Sequence, residues 1–137
     1  MTGVLLDSSI VIAAERRQLE LGAVTAGRLD LTYLSAITAS ELLHGVHRAD
    51  TAQRQLSRSA FVEAVLAALP VLELDLATAR VHAKIWAELV AAGKIIGAHD
   101  LWLAATALTH SMTVMTTNAR ELGRVPGLVL EPVLLNP

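Results

Sequence analysis

Three acidic residues and an asparagine stand where a short apolar run ends or a helix begins. Asp7 closes Val4-Leu5-Leu6, and Glu41 precedes Leu42-Leu43-His44-Gly45-Val46. Asp100, after Gly97, sits at the mouth of the strongly apolar Leu101–Leu108. Asn118 follows Thr113-Val114-Met115-Thr116, eighteen residues beyond Asp100. Each has an ordinary local explanation. Thr38-x-x-Glu41 fits a capping box, Asp7 and Asp100 suit helix N-caps, and Asn118 suits an Asx turn. Serine and threonine cap as well as aspartate, so capping alone does not require acids. Gathered at one place, the carboxylates repel: two unit charges ~4 Å apart at an effective dielectric of ~20 cost about 4 kcal/mol. A helix dipole returns only roughly 0.3–1 kcal/mol. Either a proton or a cation must relieve the cluster. Hard oxygen ligands favour Mg2+ or Mn2+. Such an ion polarises a phosphoryl oxygen and lowers the pKa of bound water, which is the chemistry of phosphodiester hydrolysis.

The elements that would position these residues are short apolar strands alternating with helices. Strands are expected at Val4–Leu6, Leu31–Leu34, Val71–Leu74 and Thr113–Thr116, with an edge strand at Leu128–Leu130. Helices are expected over Ile10–Ala14, near Leu19–Arg28, from Ala39 to about Ala49, over Thr51–Leu69, from Leu76 to Gly93, from Asp100 to about His110, and over Ala119–Leu122. Asp75 reads as the cap of the fifth of these and Gly93 as its stop. The alternation predicts an α/β fold: a three-layer α/β/α sandwich with a short, mainly parallel central sheet. Ligands of such sheets bind outside the carboxyl ends of the strands. Asp7 and Asn118 fall at strand exits, and Glu41 and Asp100 in first turns of helices, so all four can reach one edge.

The 137 residues suit one domain, 1–137, and a 53% hydrophobic content suits a packed core. With no cysteine, disulfides, thiol catalysis and Cys-ligated zinc are excluded. A net charge of -2 gives no global attraction to nucleic acid, so any such contact needs a local basic patch. No signal peptide or membrane span is read, which points to a cytoplasmic protein.

Several stretches together resemble PIN-domain ribonucleases. They are Asp7-Ser8-Ser9 after a first strand, Ile37-Thr38-Ala39-Ser40-Glu41-Leu42 with Gly45, and Gly97-x-x-Asp100 with Ala104-Ala105. The closing Thr116-Thr117-Asn118-x-Arg120-Glu121-Leu122, followed by Val125-Pro126-Gly127-Leu128, is most similar to the VapC-type toxins of bacterial toxin–antitoxin pairs. The resemblance implies a Mg2+- or Mn2+-dependent endoribonuclease with RNA as substrate and a cognate antitoxin as partner. It places Asp7, Glu41 and Asp100 in the acidic core. Asn118 falls where many members carry a fourth acid, which brings a second metal site into question. Leu122 stands at a common phenylalanine position. Ser8 and Thr116 match small hydroxyl positions that orient the acids or a metal-bound water.

Lys94, Arg120 and Arg124 flank the proposed edge and are candidates for RNA phosphate contacts. His44 and His47 read as a solvated helix face, and His99 adjoins Asp100. Trp86 and Trp102 read as core. The apolar positions of Thr51–Leu69 offer a homodimer face. Rival readings are a PIN scaffold that binds RNA or protein with weak or no catalysis, and a haloacid-dehalogenase-like phosphatase. The phosphatase needs a second acid where Ser9 stands. A phosphoacceptor receiver would use Asp75, but no lysine follows Lys94.

Overall fold

A computed structural model of the chain describes residues 2–135. Its five strands are β1 (Val4–Leu6), β2 (Thr32–Ser35), β3 (Val71–Leu72), β4 (Thr113–Thr116) and β5 (Leu130–Pro132). Seven α-helices accompany them: α1 (Ser8–Glu15), α2 (Leu21–Val24), α3 (Ala36–His47), α4 (Ala52–Ala68), α5 (Leu76–Ala92), α6 (Ala98–Thr109) and α7 (Ala119–Leu122). The sheet order is β3-β2-β1-β4-β5, and every pairing is parallel. The chain winds outward from β1 to β3, then returns to β4 on the other side of β1. The strand order therefore reverses between β1 and β4, where open parallel sheets leave a crevice.

Strand alternation sorts the core into two layers. Leu5 and Val114 face α5 and α6, where they meet Ile85, Leu89, Leu101 and Leu103. Val4, Leu6, Leu34 and Met115 face α1, α3 and α4, packing on Ile10, Val11, Leu42, Val62 and Val65. Leu122 is 1% exposed and belongs to the first layer, so at the usual phenylalanine position it still fills the core. No helix among the described residues is long and apolar enough to cross a membrane.

Local signals explain most boundaries. Asp75 caps α5 by accepting from the Thr78 N–H at 2.9 Å and from its hydroxyl at 2.9 Å, which occupies the residue a receiver domain would need free. Gly93 ends that helix at φ 68, with Lys94 N–H reaching Leu89 O at 2.9 Å. Five expectations shift. The Leu19–Arg28 region holds only the four-residue α2, capped by Glu20, and a 3-10 turn at Leu29–Leu31. The third strand stops at Leu72, and the fifth begins at Leu130. The third helix begins at Ala36, capped by the Ser35 hydroxyl, so Thr38 lies inside it and no Thr38–Glu41 capping box exists. Trp86 is 54% exposed on α5 rather than core, while the partly buried Trp102 stacks on His82 at 3.7 Å.

Candidate active site

Asp7 ends β1 at the reversal point and occupies the N-cap position of α1 without capping it. Its N–H donates to Met115 O at 2.9 Å. Its carboxylate Oδ2 accepts from the Ser9 hydroxyl and the Thr116 hydroxyl, each at 2.8 Å. Those hydroxyls are themselves oriented by backbone donors. Thr117 N–H donates to Ser9 Oγ at 3.1 Å, and Asn118 N–H donates to Thr116 Oγ1 at 2.9 Å. Each hydroxyl thus accepts a hydrogen bond from the backbone and donates its own to the carboxylate. The aspartate is 7% exposed and fixed at the carboxyl ends of the paired strands β1 and β4.

Glu41 lies in the second turn of α3, not the first, because that helix starts at Ala36. Burial pushes its carboxyl upward, and the charge of Asp7 adds to this, while His99 and Ser8 oppose it. His99 Nδ1 stands 3.6 Å from Glu41 Oε2. Asp100 is in the first turn of α6, past Gly97 at the N-cap. Its carboxyl is pushed up to about 6, first by burial, then by Asp7, by a hydrogen bond and charge from Glu121, and by Glu41. The three acids read from the sequence are therefore electrostatic neighbours.

Glu121 is a fourth carboxylate that the sequence reading did not assign. It projects from the single turn of α7, beside Asp100, and accepts from the Gly97 N–H at 3.4 Å. The available signal was the spacing Asn118-x-x-Glu121: with Asn118 before the first turn, one turn of helix brings residue 121 back toward the edge. Asn118 itself is exposed, and its N–H, not its side chain, makes the bond to Thr116. The serine that holds Asp7 is Ser9, where a phosphatase would carry an acid; Ser8 instead lies by Glu41 and helps hold its carboxyl down. Arg124 donates to Ile95 O at 3.1 Å, tying α7 to the loop that leads into α6. Lys94 and Arg120 are exposed.

The donor set suits a hard divalent ion: carboxylate oxygens under mutual repulsion, one of them holding its proton to about 6. Among the described residues, no three acidic or histidine side chains form a ready-made metal cage.

A groove of about 610 Å3 opens from this edge and runs between α1, α3 and α4. Ser8, Glu41 and His99 line its near end, and Arg16, Arg48 and Arg58 line it as well.

The sequence model of the PIN domain matches residues 4–128. Ribonuclease VapC1 of Rickettsia felis is 32% identical over 126 residues, covering 92% of both chains. The tRNA(fMet)-specific endonuclease VapC of Salmonella typhimurium is 35% identical over 98 residues, 72% of each. In three dimensions the chain is similar to DNA-bound VapBC from Salmonella typhimurium, with a TM-score of 0.86 and 29% identity over 96% of this chain and 98% of that one. Sequence match and sheet topology agree, and the chain belongs to the PIN-domain family, among its VapC ribonucleases.

Proposed function

We propose that this chain is a metal-dependent endoribonuclease and the toxin of a toxin–antitoxin pair, with Asp7, Glu41, Asp100 and Glu121 as its acidic centre. The observation that supports this most is the convergence of four carboxylates at the reversal point, one of them raised to about 6. Asp7 and Asp100 would ligate Mg2+ or Mn2+. Glu41 would ligate it or hold its water, with His99 and Ser8 steadying the carboxylate. The bound ion supplies charge for the scissile phosphate and an acidified water. Ser9 and Thr116 keep the Asp7 oxygens oriented, as outer-shell partners of a metal ligand do. Asn118 adds a neutral polar edge. Because Glu121 restores the fourth negative charge that Asn118 lacks, two divalent ions would be neutralised rather than over-compensated. Lys94 and Arg120 remain candidate phosphate contacts; Arg124 would contribute with the guanidinium nitrogens it does not spend on Ile95.

The likeness to VapBC supports a cognate antitoxin as partner. A segment placing an arginine among these carboxylates would form a bidentate pair and displace the ion. For a homodimer, α4 is less suited than its composition suggests, since Val62 and Val65 face the core. The exposed Leu76, Trp86 and Val90 of α5 offer a better apolar face. Incubating the purified chain with RNA in Mg2+, in EDTA and with its antitoxin tests the reading. Cleavage is expected only in the first. Cleavage that persists in EDTA would remove the metal, and none in Mg2+ or Mn2+ would leave a non-catalytic PIN scaffold.

A further inference from the structure

The groove beside the acids differs in character from the acidic edge itself. Arg16 is the C-cap residue of α1 and Arg48 that of α3. Both helices start at the carboxyl edge of the sheet and run away from it. At 1.5 Å per residue, Arg16 lies ~12 Å along α1 from Ser8, and Arg48 ~10.5 Å along α3 from Glu41. The two arginines therefore leave their helices at similar depth along one groove, which both line. Both are exposed, and among the described residues neither has an ion-pair partner. A basic residue at a helix C-terminus complements the dipole. That accounts for each arginine alone, not for their lining the same groove. Arg58 is different. Its Nη1 donates to Gly45 O at 2.9 Å and its Nε stands 3.5 Å from Glu15 Oε1, so it braces α4 against α3 and α1. Phe61 and Ile12 supply apolar lining between the walls, Ile12 being 38% exposed.

Resting on the nuclease reading above, we propose that this groove is an RNA subsite. It receives the strand on one side of the scissile bond, and Arg16 and Arg48 each meet a backbone phosphate a few nucleotides from the acids. The groove is continuous with the acidic edge through Ser8, Glu41 and His99. A strand whose scissile phosphate lies at the carboxylates can leave along it. The carboxylates repel the flanking phosphates, and a chain of net charge -2 has no general attraction to offset this. Two unpaired arginines at the far end supply a local one. A base can rest on the Phe61–Ile12 surface without sequence selection, since every base presents an apolar face.

The test uses the full chain with Arg16→Gln, Arg48→Gln and the double variant. Arg54→Gln, on the outer side of α4 and paired with Asp50, serves as a control of equal charge change. Cleavage of a short single-stranded oligoribonucleotide is measured in Mg2+. Binding of the same end-labelled oligoribonucleotide is measured across a salt series in an Asp100→Asn background with EDTA. Each groove substitution should raise KM roughly three- to tenfold with kcat little changed. Each should also lower the slope of log K against log salt by about 0.7, the single-strand value per phosphate contact. Arg54→Gln should change neither. Unchanged KM and salt slope in the double variant would overturn the proposal. So would variants that bind and cleave RNA normally but lose affinity for an antitoxin, which would make the groove a protein surface. If the wild type cleaves no RNA, the nuclease reading fails, and the binding series still decides the groove: a reduced slope upholds it, an unchanged one removes it.

Discussion

Asp7 and Asp100 are both aspartates at the carboxyl edge of the sheet, yet they are held in opposite ways. Asp7 receives two hydroxyl hydrogen bonds, each hydroxyl being fixed by a backbone N–H. Asp100 has Asp7, Glu121 and Glu41 as its electrostatic neighbours, and together with burial they push its carboxyl up to about 6. The first is an anchor, with one carboxylate oxygen held by two hydroxyls. The second is left under strain that a cation relieves. On the proposed reading, a metal site built this way would have one ligand whose position is set by the fold and another that gives up its proton when the ion arrives.

The largest expected effect removes both at the level of catalysis. Asp7→Asn and Asp100→Asn should each lower kcat at least about a hundredfold, with unchanged circular dichroism. Wild-type cleavage by Asp100→Asn in Mg2+ would refute the site. Next in size are the hydroxyls on which the comparison depends. Ser9→Ala or Thr116→Val should weaken Mn2+ binding by about ten- to a hundredfold in calorimetric titration. Ser8→Ala should do less, because Ser8 serves Glu41. Equal effects of Ser8 and Ser9 would break the distinction.

Stability in EDTA sharpens it further, because the two aspartates should move in opposite directions. Asp7→Ala leaves two hydroxyl donors without their acceptor and should cost about 1–3 kcal/mol in urea unfolding. Asp100→Asn removes a repelled charge and should raise the midpoint. If both fall, Asp100 is not under strain. The position of the fourth acid is tested by kinetics: Glu121→Gln should impair cleavage by about tenfold, more than Asn118→Ala. The reverse order would return the fourth position to Asn118. The smallest effect is on pH dependence. The folded state holds the Asp100 proton more tightly than the unfolded chain does, since the group moves from 3.8 to about 6. Its contribution to metal-free stability is therefore full below 3.8 and is lost as pH rises through about 6. Urea midpoints in EDTA should fall across that window, and fall less steeply in Glu121→Gln, where burial and Asp7 still act.

The sequence by itself determined the strands at Val4–Leu6 and Thr113–Thr116, the long helices, the cap at Asp75 and the stop at Gly93. These rest on local chemistry: apolar runs, side-chain oxygens before helices, and a glycine free to take positive φ. It also brought Asp7 and Glu41 toward one edge, because a parallel sheet sends its strand exits to the same side; Asp100, which follows two successive helices, joins them only through the packing of α6. Tertiary structure alone decided the rest. Thr38 and Glu41 looked like a capping box, but Ser35 starts the helix earlier, and spacing cannot say which of two hydroxyls acts. Ser9 rather than Ser8 meets Asp7 because β4 brings Thr116 and Thr117 beside it, across more than a hundred residues of chain. Glu121 joins Asp100 only because α7 folds against the entry to α6. Such pairings depend on which strands are neighbours, and local propensity carries no record of that.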